Sequence, residues 1–598
     1  MRNTKTQSTA NTLSALLARK TVQYLVLLAL ILLCYGHTLD VPFYLDDNNS
    51  LRGNEAIQQV DLGTLWGLYA ARIVGYLTFA LDYAVHGYSL TGYHLVNTLI
   101  HVLATFMAYQ VALALLKTPR LESMANEQAI LWLPLITALI FAIHPLQIQA
   151  VTYIVQRLAS LVALFYLSSL YCYLQFRLSK TPKKKIIFGF FLIISGCLAL
   201  FTKQNAVTIP LVFLLLEWIF FNPQRKIIIA GAICTSIGLL GAYLLFPIVL
   251  NQELFAFISE RTRETVLLSR IEYLSVQMHV LWSYILRFLL PVNLALIYEY
   301  AVPESFFSPG IFFPAVFHAG LILAAVLNRK AFPLAAFGIL FYYTAHLVES
   351  SIIPIRDFAF DHRTYLPNFG LCLLVGSLVV AYLSRKPLTK AVLLLVCLVV
   401  LLLVALTWSR NQLWRDPIAF LQHEVEINND SFTSYCFLGE AYYSAGQLTE
   451  AISIFERAQS YLDNLINRGN NTFESCYSNY AATLQEAGYL DEARQLISRM
   501  PVTAFTTQGQ SKVAMTFGNV EALSGNFSEA EAHFNRARTL DPNNIYAVSN
   551  LAKLKILTGE LQQSYELFIQ VQKSDPGNMD AAIGLEYLVP LLRDNPQQ

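Results

Sequence analysis

Two adjacent carboxylates, Asp46 and Asp47, follow the first long apolar run of the chain, within Phe43-Tyr44-Leu45-Asp46-Asp47-Asn48-Asn49-Ser50. Neighbouring acids at a membrane surface repel one another and lose hydration, so their placement needs a reason. One reading makes them a solvated loop start, or an N-cap for the amphipathic stretch that follows. The other makes one of them a general base, with a metal or an orienting partner beside it. Arg157, Lys203 and Arg363 stand at membrane-edge positions of their own. A cation at a membrane edge is costly and marks a functional-site candidate; snorkelling at a helix end is the plainer alternative. His94, Asn97 and His101 lie at i, i+3 and i+7, so one helical face carries all three. No third ligand at metal spacing accompanies the two histidines, and hydrogen bonding between helices fits them better. His144, before Pro145 at the end of an apolar run, is a site candidate or a helix-end histidine.

The elements that must position these residues are apolar helices. Hydrophobic residues make up 55% of the 598 and charged residues 14%, well below the quarter or so that a soluble domain carries. The deficit lies between Thr21 and Trp408. Thr21–Leu39 follows Arg2, Lys5, Arg19 and Lys20, is long enough to span, and reads as an uncleaved first transmembrane helix. Further spans are predicted near 92–116, 131–145, 150–176, 186–202, 206–221, 227–250, 272–290, 311–327, 332–349, 365–384 and 391–408, with 131–145 short enough to start earlier or to end re-entrant. Basic clusters at the N-terminus, Lys117/Arg120, Arg177–Lys185, Arg225/Lys226, Arg329/Lys330 and Arg385–Lys390 set the cytoplasmic side. Segments 40–91, 144–150, 203–205, 251–268 and 350–364 then lie outside, with 272–290 re-entrant or interfacial unless one loop assignment fails. The fold class is all-α: a polytopic bundle of about 11–12 hydrophobic helices, followed by a helical solenoid.

The solenoid announces itself by a period. Gly446, Gly488, Gly525 and Gly559 each precede a small residue by five positions, namely Ala451, Ala493, Ala530 and Ser564. Phe455, Phe534 and Phe568 follow four later, and Asp541–Pro542 and Asp575–Pro576 close units 34 residues apart. This looks like the tetratricopeptide repeat, which offers a concave groove to peptides and seldom does chemistry. The predicted domains are a cytoplasmic tail (1–20), a membrane domain (21–408), a linker (409–430) and the repeats (431–590). Cys436 and Cys476 fall in the repeats and can pair in an oxidising compartment. A net charge of +1 gives no reason to expect a nucleic-acid partner. No Walker loop, nucleophile elbow or Cys-x-x-Cys pair occurs, which argues against a nucleotide-driven pump, a hydrolase and a zinc module.

An Asp-Asp pair in the first external loop resembles the GT-C class of membrane glycosyltransferases, which use polyprenyl-phosphate sugars. The closer resemblance is to the transmembrane-and-tetratricopeptide-repeat O-mannosyltransferases and their bacterial relatives. It is carried by Phe43–Ile57, by Arg72–His101, by His144-Pro145 with Gln147–Arg157, by Lys203-Gln204-Asn205-Ala206, and by Glu349-Ser350-Ser351 through Asp361-His362-Arg363-Thr364-Tyr365-Leu366-Pro367. Asp361 stands where the family has Glu and keeps the charge; Gln204 stands where it has Glu and loses it. The resemblance implies transfer of a sugar from a polyprenyl phosphate to Ser or Thr of a protein, a pilin or another surface protein, recruited through the repeats. It nominates Asp47 or Asp46 as the base, Asp47 slightly ahead, and Arg157, Arg363 and Lys203 for the donor phosphate. His144, Gln156, His362, Tyr365 and Arg72 are further site candidates, and a divalent metal is left open. Rival readings are transfer to lipid or polysaccharide, and a membrane-anchored scaffold without catalysis. The expected setting is a bacterial inner membrane with site and repeats in the periplasm, or an endoplasmic-reticulum membrane with both in the lumen.

Overall fold

The computed structural model describes residues 19–221 and 268–594, apart from 124–125, 304, 356, 387–388, 462–472, 501, 503–504 and 576. The expected span at 227–250 and nearly all of segment 251–268 lie outside these residues. Among the described residues every regular element is helical. The chain divides into two units, Met1–Phe420 and Leu421–Gln598.

The first unit is an integral membrane bundle. Its helices are α1 (Lys20–Tyr35), α2 (Leu62–Tyr69), α3 (Ile73–His86), α4 (Leu90–Leu115), α5 (Glu127–Ile143), α6 (Arg157–Leu178), α7 (Pro182–Leu200), α8 (Ile209–Leu216), α9 (Arg270–Leu289), α10 (Pro309–Asn328), α11 (Pro333–His346), α12 (Asn368–Leu383) and α13 (Lys390–Leu413). Among the described residues six stretches are long and apolar enough to cross a membrane, or seven if α5 and the bent Pro145–Val151 count as one span. The other predicted helices among the described residues are shorter or carry more charge. Helices α1 and α12 are apolar but only 16 residues each, and α11 has 14. Helix α7 opens on Lys183, Lys184 and Lys185. The predicted span at 131–145 starts earlier, at Glu127, and bends by 60° after Ile143. Leu62–His86, within the segment expected to lie outside, is by length and composition also apolar enough to cross.

Helix α4 sits at the centre, 26 residues long, with His94, Asn97 and His101 buried on one face. It packs on α5 and α6. Helices α11 and α12 cross closely enough that a Cβ on Gly338 or Gly370 would lie 2.4 Å from the other's carbonyl oxygen. Helix α9 is amphipathic. Its buried face carries Tyr273, Gln277 and Tyr284, which donate to the carbonyls of Glu349, Phe358 and Phe360 at 2.7, 3.0 and 3.0 Å. Three side chains on one face thus bolt the 349–360 loop in place.

The predicted linker at 409–430 is largely helical. Helix α13 runs to Leu413, and α14 spans Pro417–Ile427. Asp416–Pro417 marks the break between them and starts the second helix. The Asp416 carboxylate accepts from Ile418 N and Ala419 N at 3.0 and 3.2 Å, and Pro suits the first helical position.

The second unit continues with paired helices: α15 (Phe432–Ser444) with α16 (Leu448–Gln459), α17 (Phe473–Glu486) with α18 (Leu490–Arg499), α19 (Thr507–Leu523) with α20 (Phe527–Leu540), α21 (Ile545–Leu557) with α22 (Leu561–Ser574), then α23 (Met579–Asp594). Gly446, Gly488, Gly525 and Gly559 turn each pair at φ between +73° and +86°, a conformation that costs other residues energy. Ala451, Ala493, Ala530 and Ser564 are fully buried at the crossings. Cys436 on α15 and Cys476 on α17 are joined by a disulfide, their Cα atoms 5.3 Å apart.

Candidate active site

The structure distinguishes the two acids. Asp46 is exposed, whereas Asp47 is fully buried. Asp47 does not cap the helical turn that follows it. Its carboxylate instead accepts Tyr44 N at 3.0 Å on Oδ2 and Val155 N at 2.7 Å on Oδ1. Burial outweighs these two amide bonds and pushes its pKa up to about 8; Asp46 alongside adds to the rise. Asp46 N donates to the hydroxyl of Tyr153 at 2.9 Å. Both acids therefore rest on the turn 153–155, which lies between the bent end of the α5 span and α6.

That turn is held from three sides. Thr152 Oγ1 donates to Asn411 Oδ1 at 2.7 Å, and Asn411 Nδ2 donates to the carbonyl of Cys34 at 2.9 Å. The last helix of the bundle thereby joins the first to the turn. Tyr44 donates to the carbonyl of Trp414 at 2.8 Å, with the Trp414 ring packed on Tyr44 and Tyr153. From α4, Asn97 Nδ2 donates to the carbonyls of Val151 and Ile154 at 3.1 and 3.3 Å.

Arg157 is committed to the same framework. It is fully buried and pairs with Asp82 of α3 at 2.6 Å. It also donates to Asn97 Oδ1 at 2.5 Å, Tyr93 O at 3.1 Å and Thr78 Oγ1 at 3.3 Å, and lies over the Phe79 ring. These contacts make Arg157 part of the framework that holds the turn. Asp82, which sequence reading passed over, is the missing half of this pair. An acid inside an apolar helix is a signal that a buried cation lies near.

Lys203 and Arg363 belong to a second cluster. The Lys203 ammonium meets Glu349 Oε1 at 2.6 Å, with both side chains largely buried. Burial would raise the Glu349 carboxyl, but Lys203 and Arg363 override it and hold it below its usual range. Arg363 Nη1 donates to the carbonyls of Asp357 and Phe358 at 2.8 and 3.4 Å. Arg72 is drawn to this side by the backbone: Val74 N donates to the carbonyl of Phe201 at 3.0 Å. His362 stacks on Phe360 and shares Gln149 Oε1 through its backbone N and Nδ1, both at 3.3 Å. Burial first, then Lys203, Arg363 and Arg72, hold the His362 ring well below its ordinary pKa, so it is neutral. Gln204 is exposed. Asp361 accepts from Tyr298 at 3.1 Å and faces Arg287 at 3.9 Å.

The remaining candidates divide. His144 donates through Nε2 to the Phe288 carbonyl at 2.9 Å and accepts Leu146 N at Nδ1, so it fixes the bend. Tyr365 is buried against His101 Nδ1 at 2.7 Å, and the other ring nitrogen of His101 meets the Ala142 carbonyl at 2.9 Å. His94 Nε2 meets the Val41 carbonyl at 2.8 Å. These histidines fasten helices. Gln156 is half-buried at the N-terminus of α6. Among the described residues no group of three or more His, Cys, Asp or Glu side chains could hold a metal ion.

Tetratricopeptide-repeat family models match residues 432–461 and 522–585. A protein O-mannosyl-transferase of Caenorhabditis elegans is 24% identical over 428 residues, covering 67% of this chain and 57% of its own length. Protein O-mannosyl-transferase TMTC3 of Mus musculus is 21% identical over 621 residues, covering 93% of this chain and 64% of its own. The chain resembles the protein O-mannosyl-transferases that carry tetratricopeptide repeats. TMTC2 of Homo sapiens adds a shorter match, 29% identical over 202 residues and 22% of its own length. The chain thus spans less than two thirds of the protein O-mannosyl-transferases it matches. The long mouse match takes in 93% of the chain and so extends over both units.

Proposed function

We propose that this chain is a membrane glycosyltransferase of GT-C type that moves a sugar from a polyprenyl phosphate to a Ser or Thr hydroxyl of a protein on the external face. The observation that carries this reading is the contrast between Asp46, exposed, and Asp47, buried and pinned by two backbone N–H groups. A general base must reach its substrate, and a rigid neighbour must fix where it points. Asp46 is therefore the base and Asp47 the positioning residue, which reverses the order preferred on sequence.

Asp46 takes the proton of the acceptor hydroxyl as the oxygen attacks the anomeric carbon. The bond from that carbon to the phosphate oxygen breaks, polyprenyl phosphate leaves with the electron pair, and the anomeric centre inverts. Lys203 and Arg363 stabilise the departing phosphate. Mannose is the sugar suggested by the relatives' names. The repeats hold the acceptor in the same chain as the site and raise its effective concentration. The Cys436–Cys476 disulfide supports an external, oxidising setting for the repeats.

The test is transfer by the purified full-length chain from polyprenyl-phosphate mannose to a Ser/Thr-rich peptide, read by peptide mass. A hexose adduct with wild type and none with Asp46→Asn supports the reading. Unmodified peptide alongside a mannosylated lipid would move the acceptor to the lipid class.

A further inference from the structure

Glu349 is an unusual neighbour for a phosphate-binding cluster. Its Oε1 takes the Lys203 ammonium at 2.6 Å, while Oε2 is buried without a hydrogen-bond donor among the described residues. A buried ionised oxygen without a donor costs stability, so the carboxylate is not there for packing alone. The cations around it come from three connections. Lys203 stands after α7, Arg363 in the turn before α12, and Arg72 in the turn before α3. All three act on His362 or on one another at short enough range to shift protonation. Asp357, whose carbonyl takes Arg363 Nη1, adds an acid that acts on that arginine. His362 is neutral and contributes no charge. Tyr273 donates to the Glu349 carbonyl at 2.7 Å, so the acid is held in place from α9.

We infer that Glu349 is a resident counter-charge that restricts this cation cluster to a lipid headgroup of a single negative charge, a phosphodiester, and rejects a diphosphate. The inference rests on reading Lys203 and Arg363 as donor-phosphate side chains. A single phosphodiester can share the Lys203 and Arg363 donors while Glu349 stays in place. A second phosphate brings a second negative charge toward a carboxylate already fixed there, and like charges at close range in a poorly solvated site repel strongly. Selectivity then comes from a repulsive element, as a binding site requires when the wrong ligand is the more strongly charged one.

The test is competition binding to the full-length protein in detergent with two probes that share one polyprenyl tail, polyprenyl methyl phosphate and polyprenyl methyl diphosphate. Wild type should bind the monophosphate about tenfold or more tighter, and Glu349→Gln should narrow that gap by gaining diphosphate affinity. Equal or tighter diphosphate binding by wild type overturns the inference, and needs no variant to fold. Equal weakening of both probes by Glu349→Gln also overturns it, because Glu349 would then only seat Lys203. If neither probe binds wild type, the donor-site reading of Lys203 and Arg363 fails along with it.

Discussion

The backbone N–H of Val155 stands 2.7 Å from Asp47 Oδ1, across 108 residues of sequence. This bond ties the loop after the first span to the turn before α6. That turn also presents the Tyr153 hydroxyl to Asp46 N. The two acids are thus one device with two roles: Asp47 fixes the loop, and Asp46 is exposed on it.

Asp46→Asn should reduce transfer by about 10²–10⁴-fold, the range for loss of a general base, and leave the melting temperature unchanged. Asp47→Asn should do the opposite in part. Its amide group turns an N–H toward one of the two backbone donors, costing about 1–3 kcal/mol of stability. Parallel rate and thermal-unfolding measurements on both variants decide between these roles. Equal thermal loss in the two, or full activity in Asp46→Asn, contradicts them.

The pH dependence follows from the burial of Asp47, which pushes its pKa up to about 8. Between the usual carboxylate range and about 8 the folded chain keeps a proton that the unfolded chain has released, so stability falls as pH rises through that window. Asp47→Asn cannot ionise. Thermal unfolding from pH 5 to 8 should show wild type losing ground steadily relative to Asp47→Asn. A constant difference across the series would place the Asp47 pKa in the ordinary range.

Much of the architecture was legible in the sequence, and the reasons are physical. The repeats follow a local period, and the glycines that set it all adopt positive φ in the structure. The apolar runs are local too, and they stand as helices among the described residues even where these are short or open on lysines. The acids were legible as a pair, but their division of labour was not, because it depends on a bond to Val155 that no local pattern records. Arg157 and Asp82 are 75 positions apart, and an ion pair over that distance leaves no spacing to read. Glu349 was visible within a motif, yet its role as the partner of Lys203 needed the loop to be folded against α9.

Arg157 and Asp82 provide a test of that framework. Arg157→Gln should cost about 3–5 kcal/mol, since it leaves Asp82 buried without its cation. Combining it with Asp82→Asn should cost clearly less than the sum of the two single changes. Denaturation of the four proteins in detergent measures the coupling. Additive losses would mean that the pair does not interact as the geometry has it.

The disulfide makes a separate statement about the compartment. In cells, Cys436 and Cys476 should resist a thiol-reactive reagent until reduced. Cys436→Ser should lower the stability of the repeats by about 2–4 kcal/mol. Free thiols at both positions in protein alkylated at harvest would argue for a reducing side and against external repeats.

The most direct test of the central claim is intact mass spectrometry of external-face proteins from cells with the wild-type chain, with Asp46→Asn, and with the chain deleted. One discrete sugar mass should be present in the first and missing to the same extent in the other two. If the sugar persists with Asp46→Asn but disappears on deletion, the chain acts without Asp46 as its base, and the assignment of Asp46 is wrong.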